Sequence, residues 1–279
     1  MNPLSRKERI CCISAILTGS PNKLYSLSYF GEMFGSAKST LSEDVSIMKD
    51  AFAKMDMGEI DVVIGAGGGV RFHPSADGAS MRNIMEEIRS ELEKPSRILP
   101  GGFIYTADIM LTPKYVDMMA KTLWNAFKKT SPDFIITVET KGIPLAMAVA
   151  RLFGVRLVVA RRENKLTEGS VVTLNYLSGA SKRLQTMSLS KRAAHEGQKA
   201  LVIDDFLAGG GTVKAVFELM KEFTVTVVGC GVAIATETPK LKKIDNYKSI
   251  FTLEEVDEEA EKVSVSVSLI QKNDKEEDL

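Results

Sequence analysis

Two adjacent carboxylates and three consecutive glycines lie between an apolar run and a helical pattern in the segment Lys199–Val213. The run Ala200–Ile203 has the continuous apolar character of a strand buried on both faces, and Thr212 begins the helical pattern. Because glycine tolerates positive φ and has no side chain, backbone N–H groups in such a turn can converge on an anion at a helix N-terminus. Asp204 and Asp205 would repel a bare polyphosphate, but they can accept hydrogen bonds from ribose hydroxyls. The segment therefore predicts a sugar-phosphate site.

The same segment resembles the phosphoribosyl pyrophosphate (PRPP) motif of type I phosphoribosyltransferases, in which a strand precedes two acids, a short loop and Gly-Gly-Thr. The resemblance implies that Asp204 and Asp205 hold the 2′ and 3′ hydroxyls of the ribose. It also implies that one loop surrounds the 5′-phosphate: Ala208, Gly209, Gly210, Gly211 and Thr212. Gly209 stands where that family commonly has threonine or serine, which would remove one hydroxyl contact. A glycine-rich turn without a ligand is the structural alternative, and the sequence has no G-x-x-x-x-G-K-[ST] motif.

A second candidate loop, Glu139-Thr140-Lys141-Gly142, follows the apolar run Phe134–Val138. It resembles the pyrophosphate loop of phosphoribosyltransferases, where a basic residue follows a non-proline peptide that is often cis. The resemblance implies that Thr140, Lys141 and Gly142 bind the diphosphate of PRPP, together with magnesium ions that accompany it. A solvent-facing lysine in an ordinary loop is the alternative.

The stretch Arg161–Arg192 is rich in polar and basic residues, with strand-like runs at Val171–Tyr176 and Leu184–Ser188. In phosphoribosyltransferases this position belongs to a mobile hairpin that closes over the ligand, which implies contacts of Lys165 and Tyr176 with the diphosphate or the base. A basic surface hairpin is one alternative. An extension of a DNA-binding surface, with Arg161 and Arg162 among its residues, is another.

Helical and strand-like patterns alternate from Pro113 onward, which predicts an α/β fold with a mainly parallel sheet. In such sheets ligands bind beyond the carboxyl ends of the strands, where both candidate loops lie. We expect residues 101–279 to form one domain similar to type I phosphoribosyltransferases, ending in an acidic tail. Residues 76–100 would form a connecting helix and linker.

Residues 1–75 show three short helical patterns and two β-prone runs. Ser5-Arg6-Lys7-Glu8 has capping-box spacing, Ser26 can cap a second helix that Gly35 ends, and Ser36 is the expected N-cap of a third. The third helix has apolar residues at spacings of three and four, which predicts one buried face: Ala37, Leu41, Val45, Met48 and Phe52.

The second and third helices form a helix-turn-helix pattern, because a short turn joins them and small polar groups and lysines lie near the start of the third. The stretch SAKSTLSEDVSIMK resembles recognition helices of winged-helix repressors, and EIDVVIGAGGGVRFHP predicts a two-stranded wing. We expect DNA contacts from one set of side chains: Lys38, Ser39, Ser42, Ser46, Lys49 and, on the wing, Arg71. A three-helix unit with only a structural role is the alternative.

Charge is distributed unevenly along a chain of zero net charge. The residues from 254 to 279 carry a net charge of −7, and the first 253 residues therefore carry +7. The segment 1–42 carries only +3, and Glu43 and Asp44 lie in the predicted recognition helix. Because affinity for DNA rises with the number of neutralised phosphates, we expect two copies, a homodimer, to bind together with basic surface on the larger domain.

The 279 residues and 44% hydrophobic composition allow a substantial core and two domains. No apolar run approaches the roughly 20 residues that span a bilayer, and the first residues lack a signal-peptide pattern, which predicts a cytoplasmic protein. The three cysteines have no metal-ligand spacing, so no protein-bound metal is expected.

Nearly the whole chain resembles the purine operon repressor family of Gram-positive bacteria, through the phrases ILPGGFIYTADI, TKGIPLA, NKLTEGS, LQTMSLSKR and VIDDF. The resemblance implies a dimeric repressor of purine-biosynthesis genes that PRPP releases from operator DNA, without catalysis. One hypothesis for release is that bound PRPP competes with DNA. The alternative is an active purine phosphoribosyltransferase, xanthine- or adenine-like, with an appended DNA-binding module. In that case Lys141 would stabilise the leaving diphosphate, and Tyr105 and Phe206 are aromatic side chains that would stack on a base.

Overall fold

The computed structural model describes residues 4–65, 67–75, 79–163, 169–177 and 184–268. The chain divides into two compact units, one of residues 1–78 with 151–154 and the other of residues 79–150 with 155–279. Of the predicted connecting segment 76–100, residues 79–100 belong to the second unit. In the described residues, no helix combines the length and apolar character needed to span a membrane.

The first unit begins with two helices whose ends match their sequence signals. Helix α1 (Arg6–Gly19) has the predicted capping box, in which Ser5 Oγ accepts from the Glu8 N–H and Glu8 Oε2 accepts from the Ser5 N–H. Helix α2 (Leu27–Phe34) is capped by Ser26 and ends at Gly35, whose φ of 62° is left-handed. The predicted capping box of α1 and the predicted start and end of α2 are therefore confirmed.

Helix α3 (Lys38–Lys54) begins at an uncapped N-terminus, contrary to the prediction for Ser36. The N-cap residue is Ala37, which is exposed, and the Ser36 hydroxyl instead donates to the carbonyl oxygen of Phe34 at 3.4 Å. Ser36 therefore belongs to the turn that ends α2. The rest of the predicted apolar face is buried, at Leu41, Val45, Met48 and Phe52.

Strands β1 (Gly58–Val63) and β2 (Gly69–Pro74) form the predicted antiparallel wing. Their register pairs Asp61 with Arg71. Ile60, Val70 and Phe72 are buried and join the apolar faces of the three helices in one core. The first unit is therefore a winged helix with its own hydrophobic core.

The second unit contains a six-stranded sheet in the order β12-β11-β10-β9-β5-β6, parallel except for β12. This confirms the predicted α/β class with a mainly parallel sheet. The sheet strands are β5 (Phe134–Val138), β6 (Arg156–Ala160), β9 (Lys199–Leu207), β10 (Thr226–Thr236), β11 (Lys248–Asp257) and β12 (Lys262–Val267). The helices are α4 (Ala79–Leu92), α5 (Ala107–Leu111), α6 (Pro113–Phe127), α7 (Ile143–Phe153) and α8 (Gly211–Glu222).

Two small hairpins complete the second unit. Strands β3 (Ile98–Leu99) and β4 (Phe103–Ile104) pair after a single 3-10 turn, and β7 (Val171–Leu177) pairs with β8 (Leu184–Ser190). The β7–β8 hairpin contributes apolar side chains to the core that β5, β9 and α8 share. Because β5 and β9 are adjacent and parallel, the loops after them lie at the same edge of the sheet.

Candidate functional site

The glycine-rich turn connects β9 to α8 in the second unit. Strand β9 continues to Leu207, four residues beyond the predicted end at Ile203, so Asp204 and Asp205 both lie within the strand. Asp204 is buried and Asp205 is partly exposed. Gly210 is the N-cap residue of α8 with φ of 76°, and Thr212 lies in the first turn of the helix. The turn thus places backbone N–H groups at a helix N-terminus beside two carboxyl groups.

The carboxyl group of Asp204 is buried next to that of Asp205. Burial raises the pKa of Asp204 well above its usual range, and the neighbouring charge of Asp205 raises it further. The Asp205 N–H donates to Asp204 Oδ1 at 3.0 Å, and Arg162 opposes the rise in pKa through its positive charge. Hydroxyl groups of a ligand could donate to these carboxyl oxygens in place of solvent.

The loop after β5 lies directly against Asp204. Gly142 is buried, and a Cβ at this position would overlap Asp204 Oδ1 and Thr137 Oγ1 and come within 3.2 Å of Asp204 Cα. The peptide between Glu139 and Thr140 is cis, and Thr140 and Lys141 are exposed. The structure therefore brings the two predicted loops together around Gly142 and Asp204.

The acidic residue of this loop connects it to the end of β6. Glu139 Oε1 accepts from the Arg162 N–H at 2.7 Å, and Glu139 Oε2 lies 3.3 Å from a guanidinium nitrogen of Arg161. The sequence also allows Arg161 and Arg162 to extend a DNA-binding surface. Their positions place positive charge at the edge of the sheet where the two loops lie.

The sequence predicts ligand contacts for two residues of the β7–β8 region, Tyr176 and Lys165. Tyr176 is buried in the core of the second unit, and its hydroxyl donates to Gln185 Oε1 at 2.8 Å on the paired strand. The ring is buried among the apolar side chains of this core, and its contact with a diphosphate or base stays a prediction. Lys165 lies outside the described residues.

A supporting segment of the site was not predicted from the sequence. The residues after β10 pack against the glycine-rich turn: the Lys243 N–H donates to the carbonyl oxygen of Gly209 at 3.0 Å. A Cβ on Gly210 would lie 3.3 Å from Ile244 Cγ1. This segment is 30 or more residues away in sequence, and no local pattern connects it to the turn.

The predicted DNA-contacting side chains of α3 share one exposed face: Lys38, Ser39, Ser42, Ser46 and Lys49. Asp44 does not share it, although it lies in the same helix. Its side chain is fully buried, with Oδ2 2.7 Å from Arg9 Nε and Oδ1 3.3 Å from Arg6 Nε. Arg6 also pairs with the exposed Glu43 at 2.6 Å. The two acids therefore oppose DNA binding less than the sequence predicts.

Arg71 lies on the wing and pairs with an acid of the facing strand. Its guanidinium group lies 2.8 Å from Asp61 Oδ2, and this pairing lowers the pKa of Asp61. The Arg71 side chain is still partly exposed, so its contact with DNA stays a prediction. The pair fixes the register of the two wing strands.

The described residues contain no group of three or more His, Cys, Asp or Glu side chains that would hold a metal ion. Magnesium at this site would therefore depend on oxygens of a bound diphosphate. Asp204 and Asp205 are the nearby carboxylates that would complete such a coordination shell or hydrogen-bond to it.

Comparisons with known proteins cover both units. Residues 5–74 match the family described as bacterial purine repressor, N-terminal, and residues 108–268 match the phosphoribosyl transferase domain. The chain is 40% identical over 273 residues to the probable purine biosynthesis transcriptional regulator PurR of Streptococcus pneumoniae, covering 98% of this chain and 99% of the relative.

Two further relatives have names with opposite senses of regulation. The purine biosynthesis transcriptional repressor PurR of Bacillus subtilis is 38% identical, over 93% of this chain and 91% of its own. The purine biosynthesis transcriptional activator PurR of Lactococcus lactis is 35% identical, over 91% and 94%. Adenine phosphoribosyltransferase from Rhodothermus marinus shares the fold, with a TM-score of 0.53 and 20% identity over 62% of this chain and 99% of that one.

Proposed function

The chain belongs to the PurR family of purine biosynthesis transcriptional regulators, and from this premise we propose that it represses purine-biosynthesis genes and leaves its operator when PRPP binds. The observation that carries the proposal is the meeting of the two loops at Gly142 and Asp204, beside a turn with a helix N-terminus. The winged helix would bind the DNA, and the protein would act as a homodimer in the cytoplasm.

PRPP fits the chemistry of this edge of the sheet better than a simple nucleotide phosphate does. The turn from Ala208 to Thr212 offers N–H groups to a 5′-phosphate, and the paired carboxyls of Asp204 and Asp205 accept from vicinal ribose hydroxyls. Lys141, with the adjacent Thr140 and Gly142, would bind a diphosphate that extends from the ribose. Magnesium would bind with the diphosphate.

Binding to DNA is proposed for the exposed face of α3, because side chains near the N-terminus of a recognition helix reach base edges in the major groove. Two copies of the chain would bind two half-sites, which compensates for the small number of lysines on each face. We expect tight binding to a purine-gene promoter fragment and weak binding to a scrambled fragment of the same composition. Equal affinity for both fragments would contradict sequence-specific regulation.

Two other functions are separable by experiment. Activation, in the sense of the Lactococcus lactis relative's name, would be distinguished by transcription that falls when the chain is removed. A phosphoribosyltransferase would form nucleotide and diphosphate from PRPP, magnesium and a purine base. The proposal predicts PRPP binding without turnover, and turnover at ordinary enzymatic rates would contradict it.

Replacement of Gly142 by alanine is expected to weaken PRPP binding by at least about tenfold. The added Cβ would overlap Asp204 Oδ1 and Thr137 Oγ1, so the carboxyl group or the loop must move. Calorimetric titration with PRPP and magnesium measures the effect. Gly19→Ala is the control, since a Cβ there meets no atom within 4 Å. An unchanged affinity in Gly142→Ala would show that this contact does not shape the site.

Replacement of Lys38 and Lys49 by alanine is expected to weaken DNA binding by roughly tenfold or more, because each lysine neutralises a phosphate. The slope of log affinity against log salt should fall by about one for each lost contact. Fluorescence anisotropy at several salt concentrations measures both quantities. Lys54→Ala is the control at the opposite end of α3. A slope equal to that of the wild-type protein would exclude these lysines as phosphate contacts.

A further inference from the structure

The glycine-rich turn is contacted by Lys242, which lies 34 residues after Ala208 in the sequence. The ammonium group of Lys242 donates to the carbonyl oxygen of Ala208 at 2.8 Å, to that of Pro239 at 3.2 Å and to Thr236 Oγ1 at 3.3 Å. Three acceptors use all three donors of a lysine side chain. These three hydrogen bonds therefore hold the ammonium group against the turn rather than in solvent.

Two successive carbonyl groups of the turn face this segment. The Ala208 carbonyl accepts from the Lys242 side chain, and the Gly209 carbonyl accepts from the Lys243 N–H at 3.0 Å. Because C=O and N–H point in opposite directions across a trans peptide, the N–H groups of Gly209 and Gly210 point away from the segment. Within the described part of the chain, neither N–H donates to a protein acceptor. Both are therefore oriented to bind an anion.

The charge of Lys242 has no local counterion. Its three acceptors are uncharged, and no carboxylate among the described residues pairs with it. Burial lowers the pKa of Lys242, and no neighbouring acid opposes that change. The side chain is a partly buried cation next to a turn whose amides are free, and an anion in the turn would balance it.

We propose that Lys242 is a positioning residue for the phosphate monoester of the effector. It holds the carbonyl of Ala208 so that the next amides face the ligand, and its positive charge stabilises an anion bound in the turn. This inference rests on the proposed function and deepens it, because it assigns the 5′-phosphate end of PRPP to a residue outside the PRPP motif. It concerns the 5′-phosphate and not the diphosphate, for which the Lys141 loop is proposed.

The test compares Lys242→Met with the wild-type protein by calorimetric titration of three ligands with magnesium: PRPP, ribose 5-phosphate and inorganic pyrophosphate. The variant should lose about tenfold or more in affinity for the first two, by the same factor, because a hydrogen bond from a charged group is removed. Affinity for pyrophosphate should not change. Lys242→Arg should retain affinity within about threefold, since it keeps the charge and donors.

Lys248→Met is the matched control, because Lys248 also donates to a backbone carbonyl, that of Ala126, at 3.0 Å. Wild-type affinity of Lys242→Met for ribose 5-phosphate would overturn the inference, as would an equal loss for pyrophosphate. Absence of PRPP binding to the wild-type protein would instead contradict the proposed function. If Lys242→Met does not fold, Lys242→Gln replaces it. Gln removes the charge but keeps a neutral donor for Ala208, so a smaller loss of about threefold is expected, and wild-type affinity for ribose 5-phosphate would again overturn the inference.

Discussion

Replacement of Asp204 and Asp205 by asparagine is expected to abolish the response to PRPP while operator binding persists. A carboxylate accepts a ribose hydroxyl in a charge-assisted hydrogen bond of about 1.5–3 kcal/mol, whereas the amide oxygen of asparagine accepts one worth about 0.5–1.5 kcal/mol, so the double substitution should weaken PRPP binding by about thirtyfold or more. Asparagine keeps the volume of each side chain. Calorimetry measures PRPP affinity, and anisotropy of a promoter fragment measures DNA binding with and without PRPP.

Asp133→Asn is the matched control, because Asp133 Oδ2 accepts from the Lys199 N–H at the opposite end of β9. It should leave PRPP affinity unchanged. Loss of DNA binding in the Asp204/Asp205 variant would contradict the separation of the two roles, and retained PRPP affinity would remove these carboxyls from the site.

The same variant has a pH signature. The folded-state pKa of Asp204 is raised, so the unfolded chain releases this proton at lower pH, and the stability that the neutral carboxyl contributes is lost as pH rises. Asparagine cannot ionise. Relative to the wild-type protein, the variant should therefore gain stability as pH rises above about 4, the ordinary pKa of an aspartate, measured as thermal unfolding of the second unit.

Replacement of Asp44 by alanine is expected to unfold the winged helix and to remove DNA binding. The substitution leaves Arg9 almost fully buried without its partner, at a cost of about 3–5 kcal/mol, which is a large share of the stability of a domain of this size. Denaturant unfolding followed by circular dichroism, together with promoter anisotropy, measures the effect. PRPP binding in the second unit should persist.

Glu43→Ala is the control for this substitution. Glu43 is the preceding residue of α3, it also pairs with Arg6, and it is exposed, so its loss should cost no more than about 1 kcal/mol. Removing this negative charge from the DNA-facing helix should leave or slightly increase DNA affinity. A folded Asp44→Ala variant with wild-type DNA affinity would show that the buried pair is not needed to hold α3.

Local patterns predicted the fold well because the helices and central strands obey local rules. The capping box at Ser5, the left-handed Gly35 and the apolar face of α3 all depend on residues within a few positions of each other. Strands β5 and β9 are buried on both faces, which gives continuous apolar runs. Strands β10 to β12 were not predicted, and β10 lies entirely before the acidic residues 254–279.

The sequence predicts the two loop motifs of the candidate site, but not the residues from other parts of the chain that pack against them. Gly142 and Asp204 are distant in sequence, and only the pairing of β5 with β9 brings them together. The same limitation applies to Lys242, whose acceptor lies 34 residues earlier. Ligand contacts were predicted for Arg71 and Tyr176 from residue type alone. In the structure their side chains bind partners on the facing strands, Asp61 and Gln185, which the sequence does not reveal.

The central claim is that PRPP and DNA bind with linked free energies. The most direct test is the dissociation constant of the wild-type protein for a purine-gene promoter fragment, measured by anisotropy with and without saturating PRPP and magnesium. We expect PRPP to raise this constant by about tenfold or more, and DNA to weaken PRPP binding by the same factor. A constant that does not change, while calorimetry shows bound PRPP, would rule out release of DNA by PRPP.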